Sequence, residues 1–177
     1  MSSLTSYTPT LAKLVGLDGV ALYERQRSLV RVGLLEPEGR GPGRGVQATP
    51  KAVALLLISA LATDRLVDAA VRTRDLAAAV PKNGRCPLTG RTTFLDALTA
   101  ALSIKFVPFT FDYLEVSHIR THAALRGRAN IGEPKIRSEF IGPNSPRIGR
   151  DILTVLEEET LLTIKEDVHA ILRRDAR

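Results

Sequence analysis

The stretch that decides the fold is LAKLVGLDGVALYERQRSLVRVGLLEPEGRGPGRGVQATP, which runs from Leu11 to Pro50. Its first apolar run stops at Gly16, because glycine supplies the left-handed backbone that a tight turn between helices needs. Asp18 then caps a second helix. The positions of that helix that suit a core are Leu22, Leu29 and Val32, with Arg25 or Gln26 between them.

The opposite face of this second helix is polar and mixed in charge, a pattern that can reach base edges and phosphates in a major groove. The helix ends at Gly33, and GRGPGRG follows from Gly39 to Gly45 with two arginines inside it. Glycine lets a backbone approach a partner closely, and a solvated loop is the plain alternative. The candidate contact residues are Val20, Tyr23, Glu24, Arg27 and Arg31 on the helix, and Arg40 and Arg44 in the glycine-rich segment.

This first third of the chain resembles the winged helix-turn-helix family of bacterial and phage-type DNA-binding regulators. The resemblance implies that the second helix is a recognition helix and the glycine-rich segment a wing. It assigns base reading in the major groove to Val20, Tyr23, Glu24 and Arg27, a phosphate contact to Arg31, and backbone or minor-groove contacts to Arg40 and Arg44. The sequence departs from the family at Gly19 and Val20, where Ser, Arg or Thr is common, and at Arg25 or Gln26, which occupies a position that is usually apolar.

Further helices follow on either side of this segment. Thr8 and Pro9 predict the start of the first helix, and Thr49 and Pro50 repeat the same signal before KAVALLLISALATD. That segment is apolar around most of its circumference, which indicates a helix that is buried or faces a second subunit. Thr63 and Asp64 predict the start of an amphipathic helix, whose expected packing residues are Leu66, Val67, Ala70, Val71 and Leu76 to Ala79.

The rest of the chain shifts toward β-forming residues. The segment from Pro81 to Gly90 contains turn formers that favour a linker. Thr93 and Asp96 then resemble a capping box that opens a helix. Strands are predicted in FVPFTFDYLEV, Ile119 to Leu125, Lys135 to Ile141 and Ile152 to Val155, and the last leads into a helix with Leu161, Ile164, Val168 and Ile171 on its packing side.

We therefore expect an α+β protein with three parts. The first is an N-terminal winged helix-turn-helix extended by helices, residues 1–80. A linker, residues 81–90, separates it from a smaller C-terminal α+β module, residues 91–177, for oligomerisation or partner binding.

Charge supports a polyanionic partner. The net charge of the 177 residues is +6, with 21 Lys or Arg against 12 Asp or Glu up to Arg150 and 4 against 7 from Asp151. The acidic end is not expected to contact nucleic acid. Cys86 is the one cysteine, which favours a reducing compartment, and no leader or long apolar run is evident, so we expect a cytoplasmic protein without a membrane partner.

Catalytic and metal sites find little support. In a strand, His118 and His122 would stand about 13 Å apart, too far to share a metal with Glu115. The GRGPGRG segment lacks the Gly-Lys-Ser or Gly-Lys-Thr ending of a nucleotide loop. Consecutive carboxylates do not converge on a cation, so Glu157, Glu158 and Glu159 indicate a solvated acidic turn. No nucleophile has a recognisable base, so neither an enzyme, a cofactor nor a metal is expected.

The functional prediction is a sequence-preferring protein that binds double-stranded DNA, a transcriptional regulator acting as a homodimer. The helix-turn-helix pattern followed by an Ala- and Leu-rich helix pair is also similar to small phage proteins. That similarity gives one alternative, a small-terminase-like DNA-packaging factor that forms a ring. Another alternative is a winged helix that binds proteins and never contacts DNA.

Overall fold

The computed structural model describes residues 2–38, 45–103, 110–128, 132–142 and 151–175. The helices of the N-terminal half are α1 (Leu4–Leu14), α2 (Gly19–Arg31), α3 (Pro50–Leu61) and α4 (Leu66–Ala77). The following elements are β1 (Val80–Pro81), α5 (Phe94–Leu102), β2 (Thr110–Ser117), β3 (His122–Arg128), β4 (Ile136–Ile141), β5 (Leu153–Glu157) and α6 (Glu158–Asp175). The predicted α+β class is confirmed.

The strands form an antiparallel sheet in the order β1-β4-β3-β2-β5. Side chains alternate across the sheet, so Leu114 and Val116 of β2 face the core together with Leu125 and Ala123, their partners on β3. Helices α5 and α6 pack against the sheet, and the Phe94 ring of α5 lies 5.2 Å from the Phe140 ring of β4. One face of the sheet is thereby buried.

The structure confirms three predicted helix caps and one predicted glycine turn. The carboxylate of Asp18 accepts hydrogen bonds from two amides of the first turn of α2, and the hydroxyl of Thr49 accepts one from the first turn of α3. Thr93 caps α5 in the same way through the amide of Asp96. Gly16 has a φ of 71°, the left-handed backbone that was predicted for the turn after α1.

The predicted start of the first helix was wrong. Helix α1 begins at Leu4, and the hydroxyl of Ser3 caps it by accepting a hydrogen bond from the amide of Ser6. Pro9 therefore lies inside the helix rather than at its first position. Thr8 is buried in the interface with α2, so its hydroxyl serves packing between helices instead of capping.

Several expected core residues are exposed. Val32 follows α2 at the surface, because the left-handed backbone of Gly33 turns the chain there. Helix α4 begins at Leu66, two residues after Asp64, and its N-cap residue Arg65 makes no side-chain capping bond. Its exposed side carries Leu66, Val67 and Val71, because α4 packs through Ala69, Ala70, Thr73, Leu76 and Ala77. Of the expected packing residues, Ala70, Leu76, Ala77 and Ala79 are buried, so the prediction was correct for these positions and wrong for Leu66, Val67 and Val71.

Among the described residues, one hydrophobic cluster includes side chains from both sides of the predicted linker. Within that segment Pro81 belongs to β1 and pairs with Phe140 of β4, and α3 packs on α5. The two chain ends are also joined: Tyr7 of α1 donates a hydrogen bond to Asp167 of α6 at 3.3 Å, and the amide of Ser2, just before α1, donates to Asp175 at 2.7 Å. The division into two domains stays a prediction, but the hydrophobic core includes residues from both sides of the predicted linker.

Helix α4 is also fixed to the sheet. Nη2 of Arg72 donates to the carbonyl oxygens of Ser117 and Arg120, each at 2.7 Å, at the turn between β2 and β3. In the described ranges, no helix has the length and apolar character required to cross a bilayer.

Candidate nucleic-acid interface

Helix α2 has one buried and one exposed side. Its buried residues are Leu22, Arg25, Gln26 and Leu29. On the other side Val20 is 69% exposed and Tyr23 40% exposed, and Arg27 and Arg31 also face solvent. The residues that were predicted to contact DNA therefore lie on the accessible surface, where helical spacing brings Tyr23, Arg27 and Arg31 into one row.

The two polar residues on the buried side have specific partners. Nη1 of Arg25 donates to the carbonyl oxygen of Ser59, and Nη2 donates to that of Thr63, each at 2.7 Å. These carbonyls belong to the C-terminal end of α3 and the residues just after it, where carbonyl groups lack partners within the helix. The guanidinium thus caps α3 and fixes α2 against it. Burial lowers the pKa of Arg25.

Gln26 fixes the other contact of α2. The hydroxyl of Thr8 donates to Oε1 of Gln26 at 2.8 Å, and Nε2 of Gln26 donates to the hydroxyl of Thr5 at 2.9 Å. Both partners belong to α1, so the amide group bridges the two helices across their interface. The two departures from an apolar pattern, Arg25 and Gln26, are therefore buried polar residues with satisfied hydrogen bonds.

The chain leaves α2 by a turn that returns it alongside the exposed face. Gly33 has a φ of 72°, a left-handed backbone conformation that residues other than glycine rarely adopt. The amide of Glu38 then donates to the carbonyl of Gly45 at 3.1 Å in an antiparallel bridge. Arg40 and Arg44, the two arginines expected in the wing, lie outside the described residues, between the two ends of this bridge.

An open groove of about 320 Å³ runs between α2 and these flanks. Tyr23, Arg27 and Arg31 form its α2 side, and Pro37 and Gly45 belong to the opposite wall. Glu24 lies next to it and forms an ion pair with Arg27 at 3.0 Å, in which both side chains are partly exposed. Val20 stands one turn before Tyr23 and does not line the groove. The structure therefore brings three of the predicted contact residues together.

No family model, curated protein or solved structure matches this chain. The functional argument therefore depends on the geometry of the site itself.

Thr5 of α1 also lines the groove, together with the two wall residues Pro37 and Gly45. Gly45 ends the predicted wing, but the contributions of Thr5 and Pro37 were not predicted, because their position depends on how α1 and the segment after α2 fold back on the helix.

The two histidines that were considered as metal ligands make contacts that stabilise the fold. His118 lies in the turn after β2, where its ring contacts the hydroxyl of Thr154 and stands 3.7 Å from the carboxylate of Asp64. His122 begins β3, so the strand predicted from Ile119 to Leu125 exists but starts three residues later than expected. Burial lowers the pKa of His122. In the part of the chain that the structure describes, no three His, Cys, Asp or Glu side chains form a metal-binding group.

The acidic residues near the C-terminus also have a structural role that differs from the prediction. Glu157 ends β5, and Glu158 and Glu159 form the first turn of α6, so they do not form a turn of their own. Carboxylates in the first turn stabilise a helix because its N-terminal end carries a partial positive charge. Glu115, the third candidate metal ligand beside the two histidines, forms an ion pair with Arg137 at 2.6 Å.

Proposed function

We propose that this protein binds double-stranded DNA through the exposed side of α2 and acts as a transcriptional regulator with a winged helix-turn-helix. The observation that carries the proposal is the shared groove of Tyr23, Arg27 and Arg31, bordered by both flanks of the glycine-rich segment. A helix that presents such a row can enter a major groove, which is about 12 Å wide.

The three side chains suit different parts of DNA. Arg27 and Arg31 are four residues apart, so their Cα atoms are separated by about 6 Å along the helix. In the proposed complex Arg27 contacts a base edge with Val20, Tyr23 and Glu24 around it, and Arg31 contacts a phosphate. The ion pair with Glu24 orients the guanidinium of Arg27 before DNA binds.

The fixed position of α2 supports this role. Arg25 attaches the helix to α3, and Gln26 attaches it to α1, so its exposed row stands on a rigid support. A contact surface held in this way loses little conformational entropy on binding. Arg40 and Arg44 add phosphate or minor-groove contacts from the wing in this proposal.

The test compares binding selectivity in matched variants. Genomic fragments retained by the protein at about 150 mM salt are sequenced, because weak phosphate contacts are largely screened there. The proposal predicts that wild type enriches a short sequence and that Arg27→Ala reduces this enrichment. Arg173→Ala, which removes an exposed arginine of α6, is the control and should leave the enriched sequence unchanged.

The variants Arg40→Ala and Arg44→Ala should weaken binding to all DNA about equally and reduce the salt slope by about one each. Retained selectivity in Arg27→Ala would contradict the assignment of α2. A particle of ring size would favour the packaging factor, and failure to retain any DNA would favour a protein-interaction module.

A further inference from the structure

Helix α4 presents an unusual exposed surface. Val67 is 76% exposed and Val71 58% exposed, and Arg74 and Ala78 continue the same side of the helix. These four residues recur at spacings of three and four, so they form one straight row, here called the α4 stripe. Neighbouring apolar side chains exposed on one face are a mark of an interaction surface.

The other sides of α4 hold it firmly. Helices α2, α3 and α5 contact it, and Arg72 joins it to the turn between β2 and β3. The α4 stripe therefore belongs to a well-supported helix, and its exposure does not come from a frayed or loosely packed end.

Residues of opposite charge lie before the α4 stripe and near its end in the sequence. The side chain of Asp64, just before the helix, is 89% exposed and lies 3.7 Å from His118. Arg74 stands near the C-terminal end, and among the described residues no carboxylate forms an ion pair with it. An antiparallel copy of the same helix would reverse this order of charges.

We propose that two copies of this chain associate through antiparallel α4 helices. In this arrangement Val67 packs against Val71 of the second copy, and Arg74 faces Asp64 of the second copy. The two-fold axis repeats both contacts, which gives four valines at the centre and an ion pair at each end. Such an interface is self-complementary, as a two-fold dimer requires.

The size of the helix sets the strength of the dimer. Twelve residues span about 18 Å, so the contact is at the small end of specific interfaces. We therefore expect a dimer that dissociates at micromolar concentrations. Because α4 also packs on α2, the dimer would present two copies of the α2 groove related by the same two-fold axis.

The experiment is sedimentation velocity of the full chain without DNA, from about 1 to 200 μM. Wild type should shift from monomer to dimer across this range. The double variant Val67→Ser with Val71→Ser should weaken the dimer at least tenfold, because four packed valines are lost. The control, Val155→Ser with Leu162→Ser, changes two exposed apolar residues of β5 and α6 and should match wild type.

A charge exchange identifies the partner surface. Arg74→Glu and Asp64→Lys should each weaken the dimer, and the two together should restore it, because the ion pairs re-form with opposite polarity. Circular dichroism shows whether each variant is folded. Wild type that stays monomeric at 200 μM, or a valine variant that dimerises like wild type, would overturn the proposal. Since DNA is absent, neither result depends on the proposed function.

Discussion

Replacing Arg25 by methionine should strongly destabilise the protein. The side chain is 3% exposed and donates two hydrogen bonds of 2.7 Å, one to the carbonyl of Ser59 and one to that of Thr63. Methionine fills much of the same volume but donates nothing, so two buried carbonyls at the end of α3 lose their partners. Leaving a buried acceptor unsatisfied costs about 1–3 kcal/mol.

Two unsatisfied carbonyls would cost more than this, but the variant no longer buries a charged guanidinium, which is a gain. The free energy of unfolding should therefore fall by about 3 kcal/mol. Equilibrium unfolding in urea measures this loss directly. With a slope of about 2 kcal/mol/M, the midpoint should fall by about 1.5 M. The loss should appear with an unchanged slope, because the unfolded chain exposes the same surface.

Arg27→Met on the same helix is the matched control. That guanidinium is exposed, and its ion-pair partner among the described residues is the partly exposed Glu24, so its removal should cost less than about 0.5 kcal/mol. A change below about 1 kcal/mol in Arg25→Met, or equal effects in the two variants, would refute the proposed capping of α3 by Arg25.

Two further predictions concern stability. Tyr7→Phe removes the hydrogen bond to Asp167 and should cost about 1 kcal/mol in urea unfolding, whereas an unchanged midpoint would show that this contact does not tie α1 to α6. Burial lowers the pKa of both His122 and His169, so the unfolded chain takes up these protons first as the pH falls. Stability should be constant above about pH 7 and decrease toward pH 5, and replacing both histidines by glutamine should flatten this decrease. If the stability of the double variant decreased equally between pH 7 and pH 5, titratable groups other than these two histidines would be responsible.

The elements that the sequence predicts best are those governed by neighbouring residues. Asp18, Thr49 and Thr93 cap helices because their side chains reach amides two or three residues ahead, and Gly16 adopts its turn without distant contacts. Thr8 shows the limit of such signals. Its partner Gln26 is 18 residues away, and that contact lies in the interface between α1 and α2.

The candidate site could be predicted only in part for the same reason. Helical spacing placed Tyr23, Arg27 and Arg31 on one side, and that side is exposed. The role of Arg25 depends on carbonyl groups at least 34 residues away, which no local pattern reveals. In α4, Ala70, Leu76 and Ala77 are buried as predicted, but the larger Leu66, Val67 and Val71 remain outside, so apolar character alone predicted the packing side only in part.

The central claim is that the exposed side of α2 contacts DNA. The most direct measurement is the dissociation constant for a labelled duplex as a function of salt, in wild type and in Arg27→Ala with Arg31→Ala. In the proposed complex Arg31 contacts a phosphate and Arg27 contacts a base edge, so the double variant should lose about 0.9 from the slope of log K against log salt. Weaker binding with a reduced slope is the predicted result, and a variant with the affinity and slope of wild type would contradict the account.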